Sequence, residues 1–241
     1  GYPDALFFPS GFQANLGLLS TIFERGDAVF FDKHIHASSI KGLTLSGADL
    51  FGVTHNRSDH LEKRLQRIRS QAGVVTESLF SMDGDRLDRK ACLFLKRKYN
   101  FLCIVDEAHA LGVLGTGGKG LAGGLADVAL GTFGKALGLF GAFVLLPAVI
   151  KDYLLNFCAP QIYTTALPEA HAASALDVLE IIAGYEEQRM YLDHVSCWMK
   201  AELQRSGFTV DGDAHILAVR IGEEQSARDI AHILFNQGYF V

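Results

Sequence analysis

Short apolar runs alternate with stretches of helical spacing along most of the chain. Residues 5–8 (ALFF) read as a strand end. Residues 12–23 read as a helix, with Leu16, Leu19 and Phe23 at i, i+3 and i+7. Further strands are predicted at 27–31, 50–53, 73–77, 101–105 and 126–131. Between them, 58–70 is amphipathic: Leu61, Leu65 and Ile68 line one face, and charged residues the other. Residues 87–99 predict a helix ending in Lys96-Arg97-Lys98, cations that suit the negative end of the helix dipole. Strands alternating with helices imply an α/β fold, a mostly parallel sheet with helices on both faces.

Beyond Pro168 the pattern changes. Two long helices are predicted at 169–184 and 186–205, the second stopped by Ser206-Gly207. A strand at 215–221, a helix at about 226–236 begun by Ser226, and an apolar YFV follow. These predict a large domain over 1–185 and part of a smaller α/β C-terminal domain over 186–241. No internal repeat or low-complexity linker is seen.

Composition narrows the function classes. With 241 residues, 49% of them hydrophobic, the chain can bury a sizeable core. The net charge of −5 and the lack of any basic run beyond 96–98 argue against a grip on nucleic-acid phosphates. The four cysteines are widely spaced, without C-x-x-C or metal-ligand spacing, so no metal site is expected. Cys103, inside an apolar run, reads as a core residue, and a reduced, cytoplasmic setting is expected. There is no signal peptide and no run of 18 apolar residues, so secretion and membrane spanning are not expected. The first residue is Gly1 rather than Met, which suggests trimmed ends.

In sheets of this kind ligands bind beyond the carboxyl ends of the strands. Thr76-Glu77, Asp106, His109 and the loop 131–135 fall there. The letters Asp106-Glu107-Ala108-His109 spell a helicase box, but the phosphate loop that a helicase needs is absent: neither Gly118-Lys119-Gly120 nor Gly134-Lys135-Ala136 fits G-x-x-x-x-G-K-[ST]. Residues 115–120 fit G-x-G-x-x-G, yet they neither follow a strand directly nor open a helix. That match reads as chance, and a nucleotide-binding domain built on it is a rival reading.

A different chemistry collects the remaining polar residues. Lys135 sits among glycines in GTFGKALG, where small neighbours let a bulky ligand reach its amine and partial desolvation favours imine formation. Thr132 and nearby N–H groups offer a phosphate site. Pyridoxal phosphate (PLP) needs such a lysine, and a carboxylate against its ring nitrogen; Asp106 at a strand end suits that role. His109 could bond the ring oxygen, and His36 in DKHIHAS could lie flat on the ring, with His34 pointing to the opposite side. In SGFQAN a turn opens a helix, and the N–H groups of Gly11 and Phe12 would meet a phosphate. Taken singly, Lys135 also reads as a solvated loop lysine, Asp106 as a helix cap or loop acid, His109 as an ordinary loop imidazole, and Ser10 as a simple cap.

Jointly, SGFQAN, HIHAS, VTHN, VTESLFSMDGD, VDEAHALGVLG, GTFGKALG and IYTTALP resemble the PLP-dependent α-oxoamine synthases, which have the fold type I of aspartate aminotransferase. The motifs occur in the family's order over roughly residues 5–168. The resemblance implies that Lys135 is the Schiff-base lysine, that Asp106 and His109 meet the ring nitrogen and ring oxygen, and that His36 stacks on the ring. It implies Ser81 and Glu77 near the ring oxygen, and Gly11, Phe12 and Thr132 on the phosphate. Thr164 or Thr165 would reach the phosphate of a partner subunit, because family sites form across a homodimer interface.

The activity it implies is a carbon–carbon bond-forming acyl transfer from a thioester to an amino acid, with loss of CO2. FPSGFQAN, GTFGKALGLFGAFV and IYTTALP look most like the biotin-pathway members, which use L-alanine and pimeloyl-CoA or its acyl-carrier-protein form. Members that make 2-amino-3-ketobutyrate or 5-aminolevulinate are close alternatives, and a non-catalytic subunit of the same fold is disfavoured by the presence of Lys135. The family's N-terminal segment, and its C-terminal segment with an Arg near the substrate carboxylate, have no counterpart in this sequence. Residues 117–126 are also short, and Leu139, where a smaller residue is common, narrows the pocket.

Overall fold

The computed structural model describes residues 2–68 and 71–241. Seven strands make one sheet: β1 (Asp4–Phe8), β2 (Ala28–Asp32), β3 (Asp49–Val53), β4 (Ala72–Glu77), β5 (Leu102–Asp106), β6 (Val128–Thr132) and β7 (Ala142–Leu146). Their order across the sheet is β1-β7-β6-β5-β4-β2-β3. The five strands from β6 to β3 run parallel, and β7 lies antiparallel to both β6 and β1. The α/β, mostly parallel sheet read from the alternation is therefore present.

Successive residues of the central strands enter opposite cores, as the two-residue period requires. Val29, Val75, Ile104 and Leu130 join Leu18, Leu19 and Leu43 on one face. Phe30, Val74, Cys103 and Ala129 join Leu61, Leu65 and Leu95 on the other. The first core lies under α1 (Gly11–Ile22), α2 (Ala37–Ser46) and α5 (Ala148–Phe157). The second lies under α3 (Ser58–Leu65) and α4 (Arg89–Tyr99). Cys103 is fully buried, as its apolar setting predicted. No helix among the described residues is long and apolar enough to cross a membrane.

Several boundaries differ from the pattern. The helix expected over 58–70 ends at Leu65, once its two core leucines are seated; 66–68 turn away, and 69–70 lie outside the described residues. The strand expected from 126 starts at Val128, because Asp127 is used otherwise: its carboxylate accepts from the Cys103 N–H at 2.8 Å and from Lys96 Nζ at 2.7 Å. The apolar pattern does not predict helices α2 and α5 or strand β7. α2 is rich in Ser, Thr and Gly, which are weak helix formers. It forms because small residues let it lie close on α1: a Cβ on Gly42 would sit 2.7 Å from the Asn15 carbonyl oxygen.

Residues α6 (Ala159–Ile162), α7 (Glu169–Ala183) and the start of α8 (Glu186–Arg205) complete this first compact unit, which holds 1–81 and 86–190. The second unit holds 82–85 and 191–241. It contains the antiparallel pair β8 (Thr209–Asp211) and β9 (Ala218–Arg220), and α9 (Glu224–Asn236). The strand expected over 215–221 shrinks to three residues because β8 offers only three partners before Gly212, at φ 112°, turns the chain. The last helix starts at Glu224, with Glu223 as its cap, so Ser226 lies inside the first turn rather than at the start.

The closeness of α1 and α2 is testable. Gly42→Ala should cost about 1–3 kcal/mol, the usual penalty for overpacking against backbone. Urea unfolding should show a lower midpoint at unchanged m-value; an unmoved midpoint would mean that the two helices can separate freely.

Candidate active site

The carboxyl ends of β4, β5 and β6 and the amino ends of α1 and α2 converge on a cleft of about 570 Å³. Glu77 and Asp106 are the last residues of neighbouring parallel strands and are paired in register, so their carboxylates project side by side. Both are buried, at 3% and 8% exposure. Each has donors. Asp106 Oδ2 accepts from Asn15 Nδ2 at 2.7 Å, and its Oδ1 accepts from the Ala108 N–H at 2.8 Å. Glu77 Oε1 accepts from the His36 N–H at 2.5 Å.

Burial, and the negative charge of Asp106, push the Glu77 pKa up to about 8, against the pull of the His36 N–H, Lys135 and the Ser81 N–H. Lys135 faces the same pair of acids. Burial lowers the pKa of its ammonium, and Asp106 and Glu77 partly offset that. Its Nζ lies 2.5 Å from His109 Nε2. The cleft thus holds an amine that gives up its proton more readily than an ordinary lysine.

The start of α1 also lines the cleft. Ser10 caps α1, its Oγ accepting from the Gln13 N–H at 3.2 Å, and no acid occupies the first turn. Gly11 and Phe12 line the cleft there. A Cβ on Gly11 would lie 3.9 Å from the Thr132 side chain, so helix start and strand end share one corner. Thr132 Oγ1 donates to the Gly141 carbonyl at 3.0 Å and accepts from the Gly134 N–H at 3.1 Å. His36 caps α2, Nδ1 accepting from the Ser38 N–H.

Eight of the residues singled out from sequence therefore line one cleft: Gly11, Phe12, His36, Glu77, Asp106, His109, Thr132 and Lys135. Ser81 is not among the lining residues; it touches the site through its backbone N–H to Glu77. Thr164 and Thr165 line a separate cavity of about 660 Å³ with Phe133 and His171. His34 stacks on His55 at 4.0 Å. Asn15 and Ser38 also line the cleft and were missed as functional residues. Both stood within quoted motifs, but a neutral amide and a hydroxyl carry no signal of their own.

The DEAH letters divide by side. Asp106 and His109 face the cleft, whereas Glu107 accepts from Ser78 Oγ at 2.5 Å, the Leu121 N–H at 2.6 Å and the Ala122 N–H. Burial raises its pKa. Gly120 must be glycine for this loop, since φ is +78° and a Cβ would lie 2.5 Å from the Glu107 carboxyl. The glycine-rich stretch is thus a tight loop around a buried acid, with only a three-residue 3-10 turn in it.

A family model described as "Aminotransferase class I and II" matches residues 2–241. An 8-amino-7-oxononanoate synthase from Chlorobaculum parvum is 36% identical over 99% of this chain and 63% of its own length. A serine palmitoyltransferase structure from S. paucimobilis, with PLP and myriocin bound, superposes at a TM-score of 0.94 and 30% identity, over 100% of this chain and 65% of that one. An 8-amino-7-oxononanoate synthase structure from Francisella tularensis gives 0.84 and 30%, over 100% and 72%. The chain spans about three fifths to two thirds of the length of the curated relatives it matches.

The raised pKa of Glu77 fixes a pH dependence. Unfolded, the side chain titrates near 4.5; folded, near 8. The ligand-free folded state holds the extra proton between those values, so this residue's contribution to stability falls as pH rises through the window. Glu77→Gln, which keeps an acceptor for the His36 N–H, should flatten the decline seen in urea unfolding between about pH 5 and pH 8. Parallel curves for the two proteins would remove Glu77 as its source.

Proposed function

The chain belongs to the aminotransferase class I and II family, and we propose that it acts there as a PLP-dependent α-oxoamine synthase. One observation carries this reading: an amine with a lowered pKa and a buried, doubly hydrogen-bonded carboxylate face the same cleft, beside an acid-free helix start. An amine, an acid and an anion corner are the donor set that a pyridine aldehyde phosphate requires.

Bound PLP supplies an aldehyde that condenses with amines and a protonated ring that takes up electron density from the substrate α-carbon. Lys135 would hold the aldehyde carbon and, once released, accept the α-proton at Nζ. Its lowered pKa leaves more of it neutral for both tasks. Asp106, fixed by Asn15 and the Ala108 N–H, would hold the ring nitrogen. The first-turn N–H groups of α1 at Gly11 and Phe12, with Thr132, would hold the phosphate. His36 would form the flat wall against the ring, with His109, Glu77 and Ser81 toward the ring oxygen. Holding the substrate so that its α-C–H bond stands perpendicular to the ring selects proton loss.

The substrates proposed are L-alanine and pimeloyl-CoA or pimeloyl-acyl carrier protein, giving 8-amino-7-oxononanoate for biotin biosynthesis. Identities near 40% to proteins of that name support the choice. The likeness to serine palmitoyltransferase makes L-serine the chief competing amino acid. Thr164 and Thr165 lie outside this chain's own cleft, as they would in a homodimer where one of them, Thr165 first, serves the partner's phosphate; the setting proposed for that dimer is cytoplasmic.

Full-length protein with PLP should be offered L-alanine, glycine and L-serine against a panel of acyl-CoAs, with products identified by mass spectrometry. The expected product joins alanine to the pimeloyl group with loss of CO2 and thiol. Lys135→Ala should lower the rate by at least ~100-fold, the range for loss of a proton-transfer group. Product only from glycine and a short acyl-CoA, or only from serine, would overturn the substrate assignment. No product from any pair would overturn the enzymatic reading.

A further inference from the structure

The geometry points to Asn15 and Ser38 as positioning residues that transmit the state of Asp106 to His36 and fix which nitrogen of that imidazole carries the proton. The four side chains form one chain of hydrogen bonds. Asn15 Nδ2 reaches Asp106 Oδ2 at 2.7 Å and Ser38 Oγ at 3.1 Å, and Ser38 Oγ lies 2.7 Å from His36 Nδ1. Ser38 is fully buried and Asn15 is 4% exposed, so water does not compete freely for these groups.

Each link has a direction. An ionised carboxylate only accepts, so the amide nitrogen of Asn15, not its oxygen, must face Asp106. Its two hydrogens serve Asp106 and Ser38, which makes Ser38 Oγ an acceptor toward Asn15. The hydroxyl hydrogen of Ser38 is then free to point at His36 Nδ1. The backbone N–H of Ser38 independently donates to the same Nδ1 at 3.2 Å, and a backbone donor cannot reverse its role. Nδ1 is therefore an acceptor twice over, and the single proton of the neutral ring sits on Nε2.

His36 is held at its backbone too, since its own N–H donates to Glu77. The imidazole is thus delivered to the cleft in one orientation and one tautomer, with an N–H rather than a lone pair at Nε2. Asn15 is set by the acid that the proposed function places at one end of the ring, and His36 stands where that reading places the flat wall. The carboxylate and the wall are ordered together. The tautomer assignment itself needs only the ligand-free geometry, so its failure would leave the proposed function standing; only the consequence for a bound ring rests on that reading.

Nitrogen-15 NMR of ¹⁵N-histidine-labelled full-length protein without ligand tests the assignment, with His36 identified by the signal lost in His36→Gln. Nδ1 should resonate as a proton-free, pyridine-type nitrogen, and Nε2 as a protonated, pyrrole-type one. The reverse pattern, or an even mixture, would overturn the assignment without any variant at the buried positions. The relay has its own readout. Asn15→Leu should shift the Nδ1 resonance while Ser38 is present and leave it unmoved in a Ser38→Ala background. An equal shift in both backgrounds, or none in either, would show that Asn15 does not act through Ser38.

Discussion

Asp106 closes a strand whose remaining residues are nearly all sealed from water, and it is followed directly by a second buried acid. A carboxylate in such a place costs several kcal/mol unless it is hydrogen-bonded. Asn15 and the Ala108 N–H supply the bonds, each worth about 1.5–3 kcal/mol when the acceptor is charged. Much of the surrounding structure follows from that need. Asn15 is on α1, α1 is set by its close approach to α2 at Gly42, and α2 carries Ser38 at its start. The same acid adds to the burial that raises the pKa of Glu77, its neighbour in register, and opposes the desolvation of Lys135.

The parallel sheet places these groups without any one segment containing them. Residues 90 and more apart in sequence meet because strand ends align at one edge and the loops beyond them share a space. Side alternation then separates roles among adjacent letters. Asp106 points to the cleft, while Glu107 pins the loop at 121–122. A string that spells a helicase motif thus serves two unrelated purposes, one of them purely structural.

Most of the fold was legible, because apolar periodicity marked seven of the nine strands among the described residues and the long helices. α2 was not, since its stability comes from close packing on α1 rather than from its own residues. β7 was hidden because GAFVLL follows a motif loop with no helix between it and β6. In the site, ionisable residues at strand ends were readable from their positions alone. Asn15 and Ser38 were not, because their importance lies in which atoms they join, and that is decided by the approach of two helices. Thr164 and Thr165 marked a real cavity edge, but outside the cleft of their own chain.

The dependence on Asp106 can be measured by titrating PLP into the full-length protein and its Asp106→Asn variant, followed by visible absorbance. The wild-type protein should bind saturably, and the variant about 10–100-fold more weakly, as the loss of one charged hydrogen bond implies. Equal affinity in the two proteins would contradict a cleft organised around that carboxylate.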